Sequence, residues 1–308
     1  MSERTIHLMG TVIKLWIDHP QAEKMLDTAE EHLRDFEQRF SANAADSELM
    51  VVNHQAGIAP VKVDAELFEL IKIGKKQSLV SDSSLNIAIG PLIQEWRVGF
   101  VDAKYPSPEK IQEKLTMIDP TAIQLDELNQ TVFLSRPGML LDLGALAKGY
   151  FADKIIADFK ASGAKAAFID LGGNVLTYGP APQRADGHWR IGIQNPFLPR
   201  GNYVAVVKTR DESVVTSGIY ERKFEWQGQS YHHIFDSKTG YPIQTDLASL
   251  TIVSKESLTG EIWTTRLFAK SAQEVLAELN QRKGIDGIII TTDQRLAYSE
   301  GLKGRIEI

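Results

Sequence analysis

Cysteine is absent from the 308 residues, which excludes disulfides, thiolate metal sites, a cysteine nucleophile and a lipid-modified cysteine. Long apolar runs are absent as well. Nothing approaches the about 18 consecutive apolar residues of a membrane helix, and Met1 to Asp18 has no apolar leader core. The expectation is a cytoplasmic protein without a membrane span, or an extracytoplasmic one if a leader has been trimmed. No block of lysine and arginine stands out, and the formal net charge is −6, which argues against nucleic acid as the main partner. Repeats, low-complexity tracts and a dividing linker are also missing, so residues 1–308 are expected to form a single domain.

What is present is a balanced chain. Hydrophobic residues make up 43% and charged residues 24%, enough apolar side chain to bury a sizeable core. Ile6 to Ile17 reads as a first strand interrupted at Met9-Gly10-Thr11, where a glycine marks a bulge or a close backbone approach. Apolar residues at helical spacing predict a helix from Pro20 to Phe40. Further helices are expected after Asp46-Ser47-Glu48, after Asp64 and after Ser107-Pro108, each behind a capping residue. Leu140 to Leu143 reads as a buried strand end running into a helix from Ala145 to Ala161. A hairpin over Ile123 to Leu134 and strands between Lys165 and Val253 follow, including Tyr220 to Trp226 and Tyr231 to Phe235. Two helices then precede closing strands, the second helix opening on a Ser271–Glu274 capping box. This mixture predicts an α+β fold of mixed or antiparallel sheets with packed helices, compact rather than doubly wound.

Four polar clusters interrupt the pattern. In Leu141-Asp142-Leu143-Gly144-Ala145-Leu146-Ala147-Lys148-Gly149, an acid sits among leucines and a lysine falls in a first helical turn. There the helix dipole disfavours a cation unless an anion is near. The two residues either satisfy one another or mark an anion site at a strand-to-helix turn. Leu171-Gly172-Gly173-Asn174 reads as a turn that also lets a ligand approach the backbone. Tyr231-His232-His233-Ile234-Phe235-Asp236 puts adjacent histidines on opposite faces of a strand. They cannot both hold one metal, and either both are ordinary or one faces a cleft as a proton acceptor. Glu261 and Thr265 stand at i and i+4, about 6 Å apart along the helix axis, either as a solvated face or as oxygen ligands for magnesium.

Taken in order, these clusters resemble the ApbE family of flavin transferases. The matching residues are Met9-Gly10-Thr11, Phe40-Ser41 with Asp46-Ser47-Glu48, and Ile89-Gly90-Pro91-Leu92. Asp142 to Gly149, Leu171 to Asn174, Thr216-Ser217-Gly218 and Tyr220-Glu221-Arg222 continue the series. His233 to Asp236, Thr239-Gly240-Tyr241-Pro242 and Glu261 to Thr265 complete it. The resemblance implies an enzyme that cleaves FAD between its phosphates. It would move FMN onto a threonine or serine hydroxyl of an acceptor flavoprotein and release AMP, with magnesium required. The alternatives are an FAD pyrophosphatase giving FMN and AMP, and a non-catalytic FAD-binding protein.

Site residues follow from the same resemblance. Met9, Asn43, Ser84, Leu85, Asn86, Asp142, Lys148 and Phe235 stand at positions that contact FAD. The Ala145 carbonyl, Glu261 and Thr265 stand at the metal ligands, and His233 at a histidine that assists proton transfer. Lys148 would neutralise charge on the leaving phosphate, and His233, ordinarily near pKa about 6.5, would take the hydroxyl proton. Three of these positions depart from the family pattern. Glu261 and Asn86 replace aspartate, and Asn43 replaces a flavin-stacking aromatic.

Overall fold

Strands with alternating apolar and polar residues pair side by side into an antiparallel sheet of eight in the computed structural model, which describes residues 1–308. In spatial order they are Ser2–Leu8, Thr11–Asp18, Ala166–Leu171, Asn174–Tyr178, Ser213–Gly218, Leu247–Ser254, Ile285–Thr291 and Leu296–Tyr298. The inner strand Leu247–Ser254 is buried along its whole length, because both of its faces are covered. Over one part of the sheet lie the helices Ala22–Phe40 and Ala147–Ala161, joined by a stack of Phe36 on Phe151 at 4.5 Å and by Phe40 edge-on to Phe151 at 5.1 Å. Each such aromatic pair adds about 0.5–1.5 kcal/mol beyond the area it buries. A three-stranded sheet, Ile306–Glu307, Tyr203–Thr209 and Trp189–Gln194, closes a second core around Val175, Val214 and Ile288. Helices Ser257–Leu267 and Ala272–Gln281 close a third with Leu250, Ile252 and Ile289.

Locally signalled elements form where capping chemistry places them. Ser47 accepts from Met50 N, Asp64 from Glu66 N and Ser107 from Lys110 N, and Ser271 with Glu274 forms the full capping box.

Several expectations are corrected. Ile6 to Ile17 is two strands, not one with a bulge. Met9 and Gly10 both have positive φ, 54° and 68°, and make the two-residue turn whose twist suits a tight hairpin. Gly172 and Gly173, at 71° and 97°, make the equivalent turn between Ala166–Leu171 and Asn174–Tyr178. The two turns pack together, since a side chain on Gly172 would begin 2.0 Å from Thr11 Oγ1.

Leu140 to Leu143 is not a strand. Its backbone is held by the buried side chain of Asn53, which accepts from Leu141 N at 2.7 Å and donates to Leu141 O at 3.0 Å. Asp142 N adds a bond to the Ile87 carbonyl at 2.9 Å. The following helix begins at Ala147 rather than Ala145, because residues 144–146 form a turn in which Leu143 O accepts from both Leu146 N and Ala147 N. The strands expected over Tyr220–Trp226 and Tyr231–Phe235 shrink to Lys223–Trp226 and Gln229–His232. The chain beyond His232 bends so that Asp236 N can reach Tyr241 O.

Candidate active site

Two helices meet at Gly149. A side chain there would begin 2.7 Å from Glu261 Cγ and 2.8 Å from the Leu258 backbone, so glycine alone lets the Ala147–Ala161 helix lie this close to Ser257–Leu267. Gly260, next to Glu261, likewise lets Ser257–Leu267 lie close on the sheet, with Val215 2.5 Å from where its side chain would begin. Asp153 locks the pair. Its two carboxylate oxygens accept from Ser257 N at 2.8 Å and Leu258 N at 2.9 Å, capping a helix that has no side-chain cap of its own. The desolvation of this cap outweighs its two hydrogen bonds and pushes Asp153 up to about 6.

That packing carries Glu261 into the interior, where it is 5% exposed. Its Oε1 accepts from Asn174 Nδ2 at 2.8 Å, and Asn174 Oδ1 in turn accepts from the Ser257 hydroxyl. Burial raises the Glu261 pKa, opposed by the positive charge of Lys148 and then by the Asn174 bond. A buried carboxylate with one neutral amide donor is a group in want of a cation. Lys148, in the first helical turn as expected, meets that want partly. Thr265 follows one turn after Glu261 and is half-buried, while Thr264 beside it spends its hydroxyl on the Glu261 carbonyl.

The turn before this helix offers both signs of ligand. None of its backbone hydrogen bonds ends on the Ala145 carbonyl, and the helix starts with no side-chain cap, so amide groups of its first turn stay open. Asp142 accepts from Gly144 N at 2.8 Å, and burial raises its pKa against the pull of that bond and of Arg222.

His233 lies across from Lys148. Its backbone N–H and its ring Nδ1 both reach the Arg222 carbonyl at 3.2 Å. A carbonyl only accepts, so Nδ1 carries the proton and Nε2 keeps its lone pair. Burial, helped by the charges of Arg222 and Lys148 and by His232, lowers His233 to about 4 despite the carbonyl bond. The ring is therefore neutral at physiological pH and a weaker base than its ordinary pKa implies, which corrects the expectation of a value near 6.5. His232 spends both nitrogens on the loop, with Nε2 at 3.1 Å from Ile243 O and Nδ1 accepting from Ile234 N at 3.2 Å. The two histidines have different partners, although His233 lies past the end of the strand and strand alternation does not set its direction.

The remaining residues of the expected site take different places. Met9 forms the hairpin turn, and its N–H is held by Glu37 Oε1 at 2.6 Å. Asn86 Oδ1 caps the short Ile87–Ile89 turn by accepting from Ala88 N at 2.9 Å, a task aspartate could equally do. Ser84 is half-buried, and Leu85 is buried. Asn43 is exposed and meets Gln94 Nε2 at 3.3 Å and Arg97 Nη1 at 3.4 Å, with Gly99 and Arg222 following along the same wall. Phe235 is buried at 5.5 Å from Trp96, whose indole donates to Gly240 O at 2.9 Å, so its ring anchors the loop. The structure thus draws Asp142, Lys148, His233 and Glu261 into one neighbourhood, while Asn43 meets Gln94 and Arg97.

Asn174 is visible in the sequence only as the end of the Leu171–Asn174 cluster, with no role attached, and Ser257, Asp153 and Asn53 carry no local signal. A hollow of about 840 Å³ between Tyr105, Tyr231, His232 and Tyr241 touches none of the four central residues. It lies on the His232 side of the bend. No group of three or more histidine, aspartate or glutamate side chains converges as a metal site. No helix is long and apolar enough to cross a membrane.

Comparison with known proteins gives one consistent match. The model of the ApbE family matches residues 9–289. A FAD:protein FMN transferase of Klebsiella pneumoniae (strain 342) is 39% identical over 292 residues, covering 95% of this chain and 90% of that one. One from Treponema pallidum (strain Nichols) is 36% identical over 318 residues, covering 98% of this chain and 87% of the other. The crystal structure of the ApbE protein from Thermotoga maritima superposes with a TM-score of 0.87 at 26% identity, covering 99% of this chain and 98% of that one.

Proposed function

The chain belongs to the ApbE family, and from that premise we propose that it transfers FMN from FAD to a threonine or serine hydroxyl of an acceptor protein, releasing AMP. The observation that carries the site assignment is electrostatic. Lys148 acts on both His233 and Glu261, residues 85 and 113 positions away in sequence that the fold brings to one lysine.

The residues divide the work as follows. The acceptor hydroxyl gives its proton to His233 Nε2, the one ring nitrogen free to take it. Its oxygen forms a bond to the FMN-side phosphorus, and the bond from that phosphorus to the bridging oxygen breaks. AMP leaves with the bridging oxygen. FMN is then joined to the acceptor through a phosphoester. Lys148 and the open amides of its helical turn hold the phosphate oxygens on which charge collects. The anionic pyrophosphate beside His233 favours its protonated form, raising a pKa of about 4 toward the range of a useful base.

The donors present fit magnesium. Glu261 is a buried carboxylate short of cation, the Ala145 carbonyl carries no backbone hydrogen bond, and Thr265 projects from the same helical face as Glu261. These are hard-oxygen ligands of the kind magnesium takes alongside substrate phosphates. When bound there, the ion would withdraw charge from the pyrophosphate. The longer glutamate suits this position because Asn174 holds one of its oxygens at 2.8 Å, leaving the other for the ion.

Incubation with FAD, magnesium and a flavin-acceptor domain tests the proposal. Covalently fluorescent acceptor and stoichiometric AMP are expected, and no transfer to a competent acceptor sinks it. AMP formed at an equal rate without acceptor would identify a pyrophosphatase instead.

A further inference from the structure

Arg222 is an arginine without an ionic partner at a site whose substrate carries two phosphates. Glu221 beside it is taken by Arg200 at 2.6 Å, and no carboxylate pairs with Arg222 itself. Its side chain is nevertheless directed. The stem lies along Gly99, where a side chain would begin 2.9 Å from Arg222 Cδ and where φ is 89°. The head runs to the Met9-Gly10 turn, with Nη2 3.9 Å from where a side chain on Gly10 would begin. Gly99 thus makes room for the stem, and the guanidinium lies at ordinary contact distance from the Met9-Gly10 turn. The same residue's carbonyl holds His233 by its backbone N–H and its ring Nδ1, both at 3.2 Å. Its charge reaches the Asp142 carboxylate and the His233 ring, and Lys148 reaches that ring too.

We propose that Arg222 is a catalytic residue of the transfer reaction, its guanidinium forking onto phosphate oxygens of FAD while its carbonyl keeps His233 in the tautomer with Nε2 free. The assignment rests on the transferase reading. It adds a second cation to Lys148. Lys148 is shared with Glu261, whereas Arg222 has no carboxylate partner and its whole charge is available to the phosphates. Arginine suits the task because its planar fork bonds two oxygens of one phosphate, which the point charge of a lysine does not. An unpaired, partly solvated guanidinium also costs little to keep in the empty site and gains most when an anion displaces its water. In the step itself, the acceptor oxygen bonds to phosphorus, the proton passes to His233 Nε2, and the P–O bond to AMP breaks. Arg222 gives and takes no proton.

The test compares wild type with Arg222→Ala and Arg222→Lys in three measurements: steady-state transfer, FAD affinity and thermal melting. Arg222→Ala should lower kcat by about 10²–10³-fold, the usual loss of one charge-stabilising donor, with the melting temperature unchanged because the side chain is exposed. Arg222→Lys should recover only part of the rate. Added guanidinium ion should partly restore Arg222→Ala and leave wild type unaffected, a rescue that a purely structural role would not show. An Arg222→Ala rate within about twofold of wild type overturns the proposal, as does a loss accompanied by a lower melting temperature and not rescued. If wild type itself makes no AMP, the transferase reading falls. FAD affinity then decides Arg222 separately: equal binding by wild type and Arg222→Ala overturns the phosphate contact, and weaker binding by the variant keeps it.

Discussion

Glu261 and His233 face the same lysine but are held in opposite ways. Glu261 rides a helix fixed at Gly149, at Gly260 and at the Asp153 cap, and its carboxylate is bonded to an asparagine that is itself 1% exposed. His233 sits in a bend past the end of a two-stranded ribbon, and its partner is the main chain of an exposed residue. The first wall is continuous with the core, so its geometry is set by packing that cannot shift without cost. The second is built from loop backbone over an aromatic cushion of Trp96, Phe235 and Tyr231. The difference suits a reaction in which a small ligand must be held rigidly while a whole protein approaches from one side. It also explains the opposite electrostatics. The packed wall raises carboxylate pKa values by burial, and the loop wall lowers a histidine by burial among cations.

The comparison breaks most visibly if the packed wall is not the metal wall. Glu261→Ala should reduce transfer to background at every magnesium concentration, and Thr265→Val should do the same, while FAD binding measured by fluorescence weakens far less. Full activity in either variant would remove the metal assignment.

On the loop wall, His233→Ala should slow transfer by about 10²- to 10⁴-fold with melting nearly unchanged, the contribution of one positioned acid or base. In wild type, the acid limb of kcat/KM reports the free enzyme and should fall near pH 4, below the about 6.5 of an ordinary histidine. A limb at 6.5 would mean that His233 is solvated or is not the base. A normal rate for His233→Ala would make it structural, like His232.

How much of this was legible depended on distance along the chain. Ser107 before Pro108, Asp64 and the Ser271–Glu274 box are signals within four residues, and each cap forms. The antiparallel α+β class was readable from such local patterns, and the family from the order of its motifs. The hairpin at Met9-Gly10 was not, because methionine is no turn former and its positive φ disguised a two-residue turn as a bulge. Leu140 to Leu143 reads as a strand because it is apolar, yet Asn53, 88 residues away, supplies its hydrogen bonds. Within the site, Gly149 appeared only as a motif letter. Its reason is the Glu261 side chain, 112 residues further on. No local periodicity carries partnerships of that length.

Gly149→Ala puts a methyl group where Glu261 Cγ and the Leu258 backbone already stand, at 2.7 and 2.8 Å. The helices must part, at a cost of about 1–3 kcal/mol for overpacking. Glu261 should move away from Lys148 as they part, so activity should drop while His233 stays in place. Urea denaturation and AMP release measure the two effects. An alanine variant as stable and active as wild type would show that the packed wall is looser than its contacts.

The smallest effect sharpens the contrast furthest, because it reads the two walls by the sign of a slope. Asp153 is raised to about 6 from an ordinary value near 3.8, so between those pH values the folded protein holds more protons than the unfolded chain. Its contribution to stability is therefore fully present below about pH 4 and is lost as pH rises to 6. His233 is lowered from 6.5 to about 4, so over that window the unfolded chain holds more protons. Its contribution is present above pH 6.5 and is lost as pH falls to 4. Asp153→Asn keeps an acceptor for one of the two capped amides, so the loss at low pH should stay below about 1 kcal/mol. Measured by urea denaturation across pH 4 to 6.5, the difference wild type minus Asp153→Asn should fall as pH rises. The difference wild type minus His233→Ala should climb over the same range. In wild type the two slopes oppose each other, and the two variants separate them. Differences of the same sign for both variants would show that burial does not divide the site as the geometry requires.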